Sequence, residues 1–281
     1  MNSRLTYLII AFAFFFLGCS SDPNKNLRES LTLYASFDQA EADFAMGDKA
    51  LYAAASRRSM DSTTQQGLAT GVHELEAGGK WGNALRFIKR DDAVLFFKSA
   101  QNINHTPQNW SGTISFWLKV SPETELAPGF TDPIQITDTR YDDASIWVDF
   151  TRESPRVFRL GILGDRTSWH QDTVRTSARA EYERRLIPVA TPPFDNSTWT
   201  HVVILYKDLG TPMATYELFL DGNTMGKREG IDDPFNWEPE KSNIYLGLGF
   251  VGRMDELAIF NRPLSNEEII QLNQMNEPFK F

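Results

Sequence analysis

The sequence has one cysteine, Cys19, among 281 residues, so no disulfide can form within the chain and no cysteine-rich zinc cluster can be built. Histidine is nearly as scarce. His73, His105, His170 and His201 are scattered with no local metal-ligand spacing. Past the first eighteen residues there is no apolar run long enough to span a bilayer. No GxSxG, HExxH, GxGxxG or P-loop string occurs. Basic charge is also short. The 28 Lys and Arg stand against 37 Asp and Glu, a net charge of -9, which argues against nucleic acid or an anionic membrane surface as the main partner. With 41% hydrophobic and 23% charged residues, what remains is an ordinary globular composition.

The one cysteine follows a short apolar run. LIIAFAFFFLG, residues 8–18, suits the hydrophobic region of a signal peptide, and Cys19 comes directly after it. The string FLGC-SSDPNKN resembles the lipobox of bacterial lipoproteins, with Phe16 in the place that usually holds Leu. That resemblance implies removal of residues 1–18, acylation of Cys19, and a lipid-anchored protein at the bacterial outer membrane or cell surface that touches the membrane only through its anchor. The bland alternative is ordinary secretion with an incidental cysteine. Residues 19–30 then read as a polar tether, with the fold starting near Leu31.

From Leu31 onward the chain alternates. LTLYASF from Leu31 sets Leu31, Leu33, Ala35 and Phe37 against Thr32, Tyr34 and Ser36, the period of a half-buried strand. Ten further runs begin at Ala84, Ala93, Thr113, Pro133, Ser145, Val157, Thr200, Thr215, Asn243 and Asp255. Turn chemistry separates them, as in AGGKWGN (77–83) and DGN (221–223). One helix stands out near the end, where Ser265 and Glu268 make a capping box and Leu264, Ile269 and Leu272 an apolar face. Together these predict an all-β, antiparallel jelly-roll β-sandwich with a short C-terminal helix, one domain over residues 31–281. Two stretches of weak alternation, near 39–71 and 165–196, read as loop insertions. The second holds Arg166, Arg175, Arg179, Arg184 and Arg185, suited either to an anionic glycan or to a solvated, salt-bridged surface.

Several strings in order carry a family likeness: GKWGNALRF (79–87), TISFWLKV (113–120), STWTHVVILY (197–206), YELFLDGNTMG (216–226) and GRMDELAIFNRPLSNEEI (252–269). Over residues 31–273 the chain resembles the laminin-G-like, concanavalin A-like lectin/glucanase superfamily. The resemblance implies a calcium ion between the first and penultimate strands, with Asp38 and Asp255 as the matching acidic positions. The alternative is that Asp38 caps a turn and Asp255 pairs with Arg253 or Arg262. The glycosidase motif E-x-D-x-x-E of some relatives fails here, because its closest string is EADFAM (41–46), with Met46 in the last place. No residue is therefore read as catalytic.

Binding is the favoured function, with a glycan or an extracellular or envelope protein as partner. YDDASIWVD (141–149) and GDRTSWHQD (164–172) offer aromatic faces beside charged groups, which makes Trp147, Asp149, Arg166 and Trp169 the candidate ligand residues. Alternation sets Trp147 and Asp149 opposite Ile146, Val148 and Phe150. The competing reading has the tryptophans packing under inserted loops. A glycan-active enzyme and a structural component of an envelope complex are the alternative functions. Cys19→Ser should move the protein from the membrane to the soluble fraction on cell fractionation. A variant that stays with the membrane, beside a wild type that mass spectrometry finds lipid-free, would refute the anchor.

Overall fold

The computed structural model describes residues 24–170 and 175–281, so Cys19 and the signal segment lie outside the described residues. Among the described residues no helix is long and apolar enough to cross a membrane. In chain order the strands are β1 (Leu31–Ala35), β2 (Phe44–Ala45), β3 (Tyr52–Ala54), β4 (Gln65–Gln66), β5 (His73–Ala77), β6 (Asn83–Phe87), β7 (Val94–Lys98), β8 (Trp110–Lys119), β9 (Thr131–Thr137), β10 (Ser145–Phe150), β11 (Phe158–Leu163), β12 (Leu186–Val189), β13 (Thr200–Leu209), β14 (Thr215–Leu220), β15 (Asn223–Glu229), β16 (Asn243–Leu248) and β17 (Gly252–Phe260).

They form two antiparallel sheets. The first runs β15-β14-β13-β8-β17-β1-β2, with β6 and β5 attached to β17; the second runs β12-β11-β10-β9-β16-β7-β3-β4. All eleven runs expected from alternation are strands. The segment 39–71, expected as an insertion, is instead partly sheet: β2 extends the first sheet, and β3 and β4 extend the second. Strands of two or three residues are too short to display a period of two, so alternation does not reveal them. The tether also ends earlier than expected. Lys25–Glu29 is helical, and Leu27 is buried against the first sheet.

Two inner faces make the core. Leu33, Ile114, Phe116, Leu118, Val202, Ile204 and Ile259 of the first sheet join Leu95, Ile134, Ile146, Val148, Phe150, Leu160 and Leu246 of the second in one buried cluster. The outer face of the first sheet is apolar as well. Tyr34, Val203, Leu205, Phe219 and Phe260 lie under Ile269 and Leu272 of the C-terminal helix Asn266–Gln274. Ser265 and Glu268 cap that helix with the reciprocal hydrogen bonds that the sequence predicts.

Among the described residues the outer face of the second sheet carries two small apolar clusters, one of them built from Trp147, Leu163, Trp169 and Leu186. Over that cluster sits the helix Arg175–Arg184, anchored by the residue that follows it. Arg185, 2% exposed, donates from Nε and Nη2 to Asp233 at 2.6 and 2.9 Å and from Nη1 to the Glu181 carbonyl at 2.7 Å. Its guanidinium also lies 5.2 Å from the centre of the Trp169 ring. Removing one partner of a buried ion pair leaves the other charge poorly compensated; the Glu181 carboxylate still meets Arg185 Nη1 at 2.8 Å, so Asp233→Ala should cost about 3 kcal/mol in urea unfolding, the lower end for such a pair. Arg179→Ala breaks only the exposed pair with Glu183, and should cost no more than about 1 kcal/mol. Similar losses for the two variants would mean that the Arg185–Asp233 pair does not anchor the helix.

Candidate functional site

A cleft of about 770 Å³ opens on the outer face of the second sheet, and all four candidate ligand residues, Trp147, Asp149, Arg166 and Trp169, line it. Strand register accounts for its floor. Trp147 of β10 lies opposite Gly161 of β11, which has no side chain to contest the space the indole fills. Asp149 lies opposite Arg159, whose guanidinium grips both carboxylate oxygens. Burial pushes the Asp149 carboxyl above its ordinary value even though the Arg159 guanidinium favours its charge. On the other side of β10, Gln135 of β9 lies opposite Trp147 and donates from Nε2 to Asp132 at 2.9 Å.

The tryptophans hold up the floor and do not face the opening. Trp147 is 1% exposed and Trp169 6% exposed, and their indole N–H groups donate to the carbonyls of Tyr141 and Gly164. Tyr182, from the helix Arg175–Arg184, stacks on Trp147 at 25° with ring centres 6.5 Å apart, and meets Trp169 at 6.2 Å. The rings left open to solvent are Tyr141 and Phe130, 48% and 47% exposed, with Tyr182 half-buried between. Arg166 Nε donates to Asp142 at 3.1 Å, and its backbone N–H donates to Asp143 at 2.7 Å, which fixes the 164–170 turn beside the cleft.

Alternation along β10 thus places Trp147 and Asp149 correctly, while Tyr182, Phe130, Arg159 and Asp132 go unremarked in the sequence reading. Arg159 had a signal available, since a hairpin that places Asp149 also fixes the residue across from it. Tyr182 had none. Its position depends on how the helix folds back over the sheet.

Asp38 and Asp255 do come together, but around a loop. Asp38 accepts the Asn83 N–H at 2.7 Å; Asp255 accepts the Lys80 and Glu256 N–H groups at 2.5 and 3.0 Å. Gly82 and Gly79 leave the carboxylates room to reach the 79–83 turn, for a Cβ at either position would strike them. Arg253 and Arg262, the alternative partners for Asp255, pair instead with Glu76 and Glu268. Both Asp255 oxygens face N–H donors, and among the described residues no three His, Cys, Asp or Glu side chains converge as a metal centre. Calcium takes six to eight oxygens, and in this arrangement both Asp255 oxygens are already engaged by N–H donors. What the two carboxylates hold is the turn.

Beside them, Glu256 is buried and accepts the Tyr34 hydroxyl, while its Oε1 has no partner. Burial first, then the Asp255, Asp43 and Asp38 charges, push its carboxyl up to about 9; burial and the Asp38 charge push Asp255 up to about 8. His201 is the opposite case. Burial lowers it to about 3; its Nε2 lies 2.8 Å from the Ser115 hydroxyl and its ring stacks on Trp117, while its buried Nδ1 has no partner among the described residues.

Two antiparallel sheets packed face to face are the architecture of a concanavalin A-like domain. The chain belongs to the concanavalin A-like lectin/glucanases superfamily, whose family model matches residues 97–270. Among solved structures it is similar to domain 4 of AbnA, an extracellular GH43 arabinanase from Geobacillus stearothermophilus solved with arabinotriose. The identity is 15% and the TM-score 0.54, over 87% of this chain and 98% of that one. It is also similar to the receptor binding domain of the botulinum neurotoxin C/D mosaic serotype, at 13% identity and a TM-score of 0.53. That match covers 88% of this chain and 51% of the toxin chain. Both likenesses are of fold. No curated protein matches the sequence.

The raised carboxyls have a consequence for stability. Glu256 and Asp255 ionise in the unfolded chain near their ordinary values of 4.5 and 3.8, but stay protonated in the folded protein to about 9 and 8. The folded state therefore binds more protons in between, and stability falls as pH rises. From pH 7 to 8.5, above the histidine range, Glu256→Gln should flatten that fall while keeping an acceptor for Tyr34. Urea unfolding at several pH values measures the slope, and equal slopes for variant and wild type would show Glu256 ionised in the folded state.

Proposed function

We propose that this protein is a lipid-anchored envelope protein whose β-sandwich binds a glycan in the cleft on the second sheet without turning it over. The observation that carries the reading is the cleft's composition: exposed Tyr141 and Phe130 and half-buried Tyr182 flank arginine–aspartate pairs already fixed in place. An aromatic ring covers the apolar face of a pyranose or furanose, and fixed charged groups hydrogen-bond its hydroxyls. Fixing them in advance lowers the cost of ordering on binding. The AbnA domain, solved with arabinotriose, gives the fold a precedent for holding a sugar on a similar sandwich. Asp149 suits positioning better than proton transfer, since Arg159 engages both its oxygens.

The anchor would come through Cys19, at a bacterial outer membrane or cell surface. In that setting, the partners are glycans of the envelope or of surrounding surfaces.

A glycan panel that includes arabinotriose should return at least one binder. Tyr182→Ala and Tyr141→Ala should each weaken it roughly thirtyfold, the loss typical of about 2 kcal/mol at an anchor residue. Arg179→Ala, in an exposed pair, should change affinity less than about threefold. Thermal melting checks that each variant folds. If both tyrosine variants bind as wild type does, the cleft is not the glycan site. Failure of the wild type to bind any member overturns the glycan reading, and release of reducing ends would replace it with an enzyme.

A further inference from the structure

A second cleft of about 980 Å³ adjoins the first and shares Arg57, Phe130, Asp132 and Leu248 with it, so the two form one groove along the outer face of the second sheet. Its three arginines differ from those of the first cleft. Arg57, Arg58 and Arg90 have no carboxylate within 4 Å among the described residues, whereas Arg140, Arg159, Arg166 and Arg179 are all ion-paired.

Two of the three unpaired guanidiniums are fixed. Arg57 lies over the Tyr245 ring at 4.4 Å and donates to Gln135 Oε1 at 2.7 Å and the Thr139 carbonyl at 2.8 Å. Arg90 lies against Gly129 and Gly249. A Cβ at either glycine would come within 2.9–3.1 Å of its guanidinium, and Nη1 donates to the Phe130 carbonyl at 3.1 Å. Among the described residues its Nη2 and Nε have no hydrogen-bond partner. The carboxylates of this cleft are largely spoken for: Asp91 pairs with Lys89 at 3.2 Å and accepts the Ala93 N–H, and Asp132 accepts from Gln135. Asp92 is exposed.

Along the whole groove seven arginines face five aspartates, a surplus of two positive charges on a chain whose net charge is -9. A positive cleft on an acidic molecule concentrates anions locally while the rest of the surface repels them. We propose that the second cleft is a subsite for an acidic sugar residue, its carboxylate or sulfate held by Arg58 and Arg90, in a glycan whose neighbouring residues lie in the first cleft. This rests on the glycan-binding reading. Guanidinium suits the role because its planar donors match the oxygens of a carboxylate or sulfate.

The test presents the full chain with three matched pairs: sialyllactose and lactose, an oligogalacturonate and its carboxyl-reduced form, and a sulfated carrageenan tetrasaccharide and its desulfated form. At low ionic strength an acidic member should bind about tenfold or more tightly than its neutral counterpart, as expected for charge-assisted hydrogen bonds. The pair that shows the gap tells carboxylate from sulfate. Arg58→Ala with Arg90→Ala should erase the gap and leave neutral affinity intact, whereas Lys25→Ala with Lys280→Ala, matched in charge, should preserve it. Arg58→Gln alone, at an exposed position, should narrow the gap even if the double variant folds poorly. Neutral members binding as well as acidic ones would overturn the subsite and leave the glycan reading standing. Absence of binding to all six would overturn the subsite, and absence of binding across the wider glycan panel as well would overturn both. A gap that survives in the folded double variant would place the charge contact elsewhere and overturn the proposal.

Discussion

The contact on which the site depends is the buried pair of Arg185 and Asp233. A guanidinium that is 2% exposed would be strongly destabilising alone, and it is tolerated because Asp233 meets it with both oxygens and the carbonyl and carboxylate of Glu181 accept from Nη1. The Tyr216 hydroxyl donates to the Arg185 carbonyl at 2.9 Å, tying the same residue to the first sheet. One residue thus joins the end of the helix Arg175–Arg184, the segment before β16 and β14 of the other sheet. Tyr182, one turn back, is held over Trp147 as a result. A cleft wall built from a helix with little apolar surface of its own needs such a point of attachment.

The two outer faces of the sandwich have different fates for a reason visible in their side chains. The outer face of the first sheet presents Tyr34, Val203, Leu205, Phe219 and Phe260, an area of apolar surface that would be costly to leave wet, and the C-terminal helix covers it. On the second sheet, outward positions alternate aromatic with charged: Trp147 with Asp149 on β10, and Arg159 opposite on β11. Such a face cannot be sealed by a hydrophobic helix without burying unpaired charge. It stays open, and the inserted segments meet its rim, leaving a groove.

How far this was legible in the sequence follows from the range of each interaction. Strands of five residues or more announce themselves by alternation, and the same alternation put Trp147 and Asp149 on the outward face of β10. The capping box at Ser265 and Glu268 is three residues wide and was equally plain. What alternation does not carry is which outward side chain is then covered. Trp147 and Trp169 read as stacking surfaces, yet Tyr182 lies across them, from a helix whose docking depends on Asp233, forty-eight residues beyond Arg185. Asp255 is a similar case. Its arginine neighbours in sequence suggested an ion pair, but the partners are backbone N–H groups of the 79–83 turn, brought in by the pairing of β6 with β17.

The distribution of charge also separates two uses of carboxylates in one fold. Around β1 and β17, Asp38, Asp43, Asp255 and Glu256 each engage a backbone N–H or a hydroxyl, and burial first, then neighbouring carboxylate charge, raises the Asp255 and Glu256 carboxyls. In the groove of the second sheet, Asp142 and Asp149 are each matched by an arginine, and the arginines outnumber them. A net acidic chain can therefore present a positive groove, because part of its acidity is spent inside, on holding turns. The sign of the whole-chain charge says little about the sign at a site when carboxylates are buried selectively, and in this groove Arg58 and Arg90 have no carboxylate within 4 Å among the described residues.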